Sequence, residues 1–205
     1  SASDVRDNSL RLPHGEEGIV IHTQRLSAEK GDKLMPGVLE EVKVWVANTK
    51  KLGYGDKISG RHGDKNTVAA IRPIEDMPFT KDGKPVDIVL TPTFLKRMNM
   101  GQAEEIHFGL YADLLDEKFA FPLFENVNME WLEAELEKKG YTTEKKADLY
   151  DGRTGEKFPR PVTVGMKYVL KLHHIADEKV HARSTGPYTA VTQQPLSGKA
   201  QRGGQ

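Results

Sequence analysis

The chain has 205 residues, of which 37% are hydrophobic and 29% charged, and its 30 basic residues equal its 30 acidic ones. That length can bury a core in one or two domains, the composition is too apolar for a disordered chain, and the balanced charge gives no global attraction to nucleic acid. The absence of cysteine excludes disulfides and thiolate metal sites and suits a reducing cytoplasm, no run of about 18 apolar residues is present to cross a membrane, and the opening segment 1–7 lacks the apolar centre of a signal peptide.

Residues 18–26 (Gly-Ile-Val-Ile-His-Thr-Gln-Arg-Leu) are rich in β-branched side chains and bounded by Gly and charge, which predicts a strand. Residues 41–48 set Val42, Val44 and Val46 in alternation with polar or amphipathic neighbours, the pattern of a half-buried strand. After a Gly-rich excursion, residues 66–74 have strand composition. Asp82-Gly83 predicts a hairpin tip within the turn from Met77 to Pro85, and residues 86–90 another short strand.

Residues 101–119 have helical spacing at Ile106, Leu110, Leu114 and Leu115, with Glu104 and Glu105 placed in the first turn, where the macrodipole favours acids. Residues 129–139 predict a second helix carrying Trp131, Leu132 and Leu136, with Gly140 as its stop. The stretch between them, 119–127, is aromatic and irregular. Residues 146–150 predict a strand leading into the Asp and Gly turn of 151–155. The long apolar stretch 162–174 fits strand at its start and helix by its end. Residues 186–205 are rich in Gly, Gln, Pro, Ser and Thr without a periodic apolar face, which predicts an extended tail lying on a partner.

The excursion at 55–65 reads Gly-Asp-Lys-Ile-Ser-Gly-Arg-His-Gly-Asp-Lys, with two lysines, an arginine and a histidine among three glycines. Glycine lets the backbone turn sharply and approach a ligand. Lysine supplies a compact charge and arginine a fork that grips phosphate oxygens. The segment fails the nucleotide-hydrolase phosphate loop, because Lys65 is followed by Asn66 and Thr67. The same composition also describes a solvated turn. Charge is segregated along the chain. Residues 43–72 carry seven Lys or Arg against Asp56 and Asp64, and residues 157–205 carry eight against Asp177 and Glu178. Residues 100–156 between them carry six basic against fourteen acidic side chains. Two basic blocks brought together would make a positive face; apart, they are ordinary solvated surface.

Longer motifs narrow the choice. Asp56-Lys57 with Gly60-Arg61-His62-Gly63 is followed by Pro73-Ile74-Glu75-Asp76-Met77-Pro78 and Pro85-Val86-Asp87-Ile88-Val89-Leu90. Then come Arg97-Met98-Asn99 with Gly101-Gln102, and Leu149-Tyr150-Asp151-Gly152-Arg153-Thr154-Gly155-Glu156. The closing run is His181-Ala182-Arg183-Ser184-Thr185-Gly186-Pro187-Tyr188, Val191-Thr192-Gln193-Gln194-Pro195-Leu196 and Gly198-Lys199-Ala200-Gln201, and Asp4 to Arg11 opens the series. In this order, over nearly the whole chain, they resemble the C-terminal, hybrid-binding region of the bacterial RNA polymerase β subunit.

The resemblance implies a β-rich α+β fold: a double-psi β-barrel over 1–185, helices inserted at about 101–140, and an extended tail, 186–205, docked on a partner subunit. It implies a nucleotidyltransferase component, inactive alone, working with the β′ subunit, the α subunits and the remainder of β on an RNA–DNA hybrid and a nucleoside triphosphate in the cytoplasm. It implies no cofactor bound directly and no metal ligands here, the catalytic Mg2+ being held by β′. Lys57 and Lys65 match lysines beside the RNA 3′ end and the nucleotide phosphates, and Arg97 matches an arginine reaching toward the triphosphate. His174 matches a histidine near the initiating nucleotide. Arg61 and His62 shape the loop, and with His174, Arg183 and Lys199 they complete the expected nucleic-acid and nucleotide contacts. The spacing of His173, His174 and His181 is not a ligand pattern.

The chain departs from the family at three places. Asp64-Lys65-Asn66 stands where Asn-Lys-Gly is usual, so Asp64 is expected to soften the charge of Lys65. The segment 91–96 is one residue short, and Arg202 replaces an aromatic residue. Ending at Gly203-Gly204-Gln205, in mid-motif, the chain is expected to be a piece of a longer subunit. The alternative reading is a non-catalytic barrel that binds nucleic acid or docks on β′. An unrelated barrel enzyme fits poorly, since Ser184 and His181 make only a chance spacing.

Overall fold

The alternating valines form a two-stranded ribbon. Strand β1 (Ile19–Ser27) pairs antiparallel with β2 (Glu40–Ala47), setting Val20 opposite Val46, Thr23 opposite Val44 and Arg25 opposite Val42. A bulge between Val20 and His22 shifts the register, and the His22 and Trp45 rings meet at 4.9 Å on the other face. This computed structural model describes residues 10–122, 128–138 and 146–204. Both strands lie where the β-branched pattern predicts them. The half-burial expected of the second is corrected: Val42, Val44 and Val46 are 60%, 51% and 43% exposed. Alternation marks a face as apolar, and what covers that face is a separate matter.

The chain divides into two compact units, one of Ser1–Leu52 with His174–Gln205 and one of Gly53–His173. Within the first unit, the tail 186–205 is hydrogen-bonded both to residues just before it and to itself. His181 Nε2 lies 2.6 Å from the Gly203 carbonyl, Thr189 donates its N–H to Gln194, and Gly204 donates to Leu196. The first unit also holds α4 (Ala176–Lys179).

In the second unit, β3 (Lys57–Ser59) pairs antiparallel with β4 (Lys65–Thr67) on one edge and with β7 (Leu170–Lys171) on the other. Only the first residues of the expected 66–74 strand are in the ladder. Strand β5 (Phe79–Thr80) pairs with β6 (Leu149–Tyr150), the Phe79 and Tyr150 rings stacking at 5.5 Å. The Asp82-Gly83 tip forms as predicted, with Gly83 at φ +78° donating to the Thr80 carbonyl. Residues 86–90 are irregular rather than a strand. At the 151–155 turn, Gly152 packs on the carbonyls of Glu75 and Met77 so closely that a Cβ would collide. That contact explains why these two motifs occur together.

The helices are α1 (Phe94–Arg97), α2 (Met100–Leu115) and α3 (Met129–Lys138). Phe108, Tyr111 and Leu132 form the buried cluster, with Leu115, Phe119 and Met129 against it. The face of α2 in this cluster is thus 108–111–115, which takes in Leu115 of the expected line but not Ile106, Leu110 or Leu114. Ile106 and Leu110 instead lie under the segment 162–168, where Gly109 and Gly165 let backbone meet backbone at Met166 and Ile106. That segment rests on a helix and cannot pair along its length, so strand appears only at β7 and helix only after it. Gly140 and the part 123–127 of the aromatic stretch lie outside the described residues, as do residues 4–9 of the opening motif.

The mixed α+β class holds, with antiparallel sheets throughout. The β-rich weighting is corrected, since among the described residues the helices contain more residues than the strands. The strands make three separate small sheets, and no barrel closes among the described residues. No helix among them is long and apolar enough to cross a membrane.

Candidate functional site

Register decides which side chains of the Gly-rich segment share a face. Lys57 stands opposite Thr67 and Ser59 opposite Lys65. These four therefore project to one side of the ladder, and Ile58 and Asn66 to the other. Ile58 is 7% exposed and anchors the sheet. Lys57 and Lys65 are exposed on the opposite face, diagonal neighbours roughly 7–8 Å apart in this geometry. No ion pair holds either of them among the described residues.

The other cations around the hairpin are taken up by buried acids. Lys171, opposite Ile58, reaches Asp56 at 3.3 Å, and Asp56 is 2% exposed and also accepts the Gly53 N–H. Glu105, in the second turn of α2 rather than the first, binds the Arg61 guanidinium and accepts the Tyr168 N–H at 3.2 Å. His62 Nε2 lies 2.8 Å from its Oε2, a close contact without hydrogen-bond alignment. Gly101 makes this possible, because a Cβ there would fall 2.6 Å from the His62 ring. Arg61 and His62 thus tie the loop to α2.

Asp64 does not face Lys65. Its carboxylate turns inward to Lys167 Nζ at 2.5 Å, with side-chain exposures of 6% for Asp64 and 7% for Lys167. Burial alone would raise the Asp64 pKa, but the hydrogen bond and charge of Lys167 outweigh it and hold the group below the usual carboxylate value. The expected softening of Lys65 is corrected accordingly, since Lys167 already neutralises this carboxylate.

Arg97 ends α1, where Met98 at φ +59° turns the chain back. Asn99, with its amide oriented to suit its neighbours, donates to the Arg97 carbonyl at 2.7 Å and accepts the Asp64 N–H at 3.3 Å. That bridge links the Arg-Met-Asn motif to the lysine loop. Lys65, Arg97, Thr93, Asn99 and Gln102, together with the Lys167-paired Asp64, line one shallow recess of about 10 Å3, room for about one water. Two cations at its mouth suit an anionic oxygen arriving from solvent.

The remaining expected contacts lie in the first unit. His174 is exposed, its Nδ1 3.4 Å from Lys179 Nζ. Arg183 folds back onto the tail, donating to the Pro187 carbonyl at 3.1 Å and lying 5.1 Å from the Tyr188 ring centre. Lys199 donates to the Glu178 carbonyl at 2.8 Å, fastening the tail to α4. Sequence reasoning missed Glu105 and Lys167 as partners of the loop. Their signals were present as a lysine inside an apolar stretch and an acid one turn beyond the capping position. Among the described residues no group of three or more His, Asp or Glu is placed to hold a metal ion.

The geometry can be set beside known proteins. The family model for RNA polymerase Rpb2, domain 6, matches residues 1–201. The chain is 54% identical to the DNA-directed RNA polymerase subunit beta of Alkaliphilus metalliredigens and 53% identical to that of Acetivibrio thermocellus. It is 54% identical to that of Caldicellulosiruptor saccharolyticus. All of this chain is covered in each case, against 16%, 16% and 17% of those relatives, so it spans about one-sixth of their length. The motifs that interlock here, the lysine hairpin, the Arg-Met-Asn turn and the two Gly-centred contacts, all fall inside the matched span, and the chain belongs to the RNA polymerase Rpb2 domain 6 family.

Proposed function

We propose that this chain is the active-site-proximal, hybrid-binding part of the β subunit of DNA-directed RNA polymerase, built on a double-psi β-barrel and assembled with β′, the α subunits and the rest of β. The reaction is attack of the RNA 3′-hydroxyl on the α-phosphate of a nucleoside triphosphate, with pyrophosphate leaving. The magnesium of the β′ partner supplies Lewis-acid charge to that exchange. This chain's share is to neutralise phosphate charge: Lys57 and Lys65 beside the RNA end and the triphosphate, Arg97 toward the triphosphate. His174, Arg183 and Lys199 contact the nucleic acid or the nucleotide. The barrel in this reading rests on the family resemblance, since the three antiparallel sheets stay separate among the described residues.

The observation that carries this reading is the shared face of Lys57 and Lys65, both exposed and without ion-pair partners among the described residues, with Arg97 on the same recess as Lys65. Lys57→Ala and Lys65→Ala in the complete polymerase are each expected to remove roughly 2–4 kcal/mol of transition-state stabilisation. Nucleotide addition then slows roughly 30-fold to 1,000-fold, while assembly is kept. Wild-type elongation by both variants would sink the assignment. A docking role accompanies the catalytic one and is favoured by the exposed valines of the β1–β2 ribbon.

A further inference from the structure

A carboxylate directly before a phosphate-binding lysine should be a handicap, for an exposed Asp64 would draw Lys65 to itself and weaken its field on a phosphate. The structure turns Asp64 inward. The residue is 6% exposed, its Oδ2 lies 2.5 Å from Lys167 Nζ, and its Oδ1 accepts the His62 N–H at 3.3 Å. Gly60 makes the seat, since a Cβ there would lie 2.5 Å from both carboxylate oxygens, and the Gly60 N–H binds the Asp64 carbonyl at 3.0 Å. Asn99 takes the Asp64 N–H on the other side. Lys167 arrives from the segment laid along α2, 103 residues away in sequence. A pair this enclosed adds little net stability, but removing either partner strands the other's charge in the interior.

We propose that Asp64 and Lys167 are a positioning pair for Lys65. Lys167 neutralises the carboxylate and pins the turn, and Lys65 then enters β4 on the face it shares with Lys57 with its own charge undiminished. Neither residue of the pair touches substrate; both act through Lys65. The inference rests on the phosphate-binding role of Lys65 given above and adds the two residues that aim it.

The test is made in the complete polymerase, with Lys167→Met, Asp64→Asn, the double variant, Lys65→Ala, and Lys65→Ala combined with Lys167→Met. Nucleotide KM and kcat are measured on active-site-titrated enzyme, and amide exchange is followed at β3 and β4. Lys167→Met is expected to raise KM about tenfold or more, because a displaced lysine loses its phosphate contact. The double variant fills the same seat without charge and returns KM to within about twofold of wild type. In the Lys65→Ala background, Lys167→Met adds no further KM change. An unchanged KM for Lys167→Met overturns the proposal, and so does a change that multiplies that of Lys65→Ala. If Lys65→Ala is slow while the pair variants behave as wild type, the functional reading stands and this inference alone falls. If Lys65→Ala itself is wild type, the phosphate-binding role of Lys65 falls and takes the positioning role with it. Amide exchange then still reports whether the pair holds the hairpin.

Discussion

The two ribbons of this chain, β1–β2 and β3–β4, are both antiparallel, and they differ in where their stability comes from. The longer one pairs eight or nine residues a side, yet its valines stay exposed and its ion pairs, Arg25 with Glu40 and Lys43 with Glu41, sit in solvent. The shorter one pairs three residues a side but is fastened by Ile58, Asp56, Asp64 and, through its loop, Glu105. A bare two-stranded ribbon is marginal in water. The short hairpin is therefore a rigid presenting device, while the long ribbon is an apolar surface suited to a partner. Length of pairing is a poor guide to which strand the molecule depends on.

That contrast can be broken most sharply at the buried pair. Lys167→Met leaves the Asp64 carboxylate without its cation and should lower the opening free energy of β3–β4 by about 3–5 kcal/mol. Amide exchange in the assembled enzyme reads this, with β1–β2 unchanged; equal protection loss in both ribbons would contradict the separation. Acid offers a route to the same hairpin. The Asp64 pKa is lowered by folding, so its contribution is complete above the ordinary carboxylate range and is lost as pH falls through and below that range. The opening free energy of β3–β4, taken from exchange after allowing for the intrinsic pH dependence of amide chemistry, should therefore fall in acid but stay level between pH about 6 and about 8.

The long ribbon is tested from its face. Val44→Asp should weaken assembly by about 1.5–3 kcal/mol, the value of one buried valine, while leaving β3–β4 exchange as it was. Subunit association that is insensitive to this change would mean the face meets solvent in the complete enzyme. The smallest effect is expected at Arg25→Ala, whose ion pair is exposed on both sides. Salt screens such a pair, and β1–β2 exchange should not change measurably.

Much of this arrangement was legible beforehand. The two strands of the ribbon, the Asp82-Gly83 tip, the 151–155 turn and the two long helices follow from local chemistry, because each depends on residues within a few positions of one another. The lysines of the hairpin were legible as types, and their motif marked them. What could not be read was the exposure of Val42, Val44 and Val46, since alternation is the same whether or not a partner lies on the face. Nor could the irregular path of 162–168 be read, since it follows from Gly109 and Gly165 meeting across more than fifty residues of sequence.

The sequence by itself determined the family and the positions of the local elements, and it marked the basic side chains proposed to meet phosphate, because motif order, side-chain chemistry and short-range periodicity are all written in the chain. Only the tertiary structure decided which charges remain available. Asp64 lies next to Lys65 in sequence yet is neutralised by Lys167, and Arg61 and His62 lie in the same loop yet are held by Glu105 on α2. Coulomb attraction depends on distance in space and on burial, and neither is fixed by adjacency along the chain.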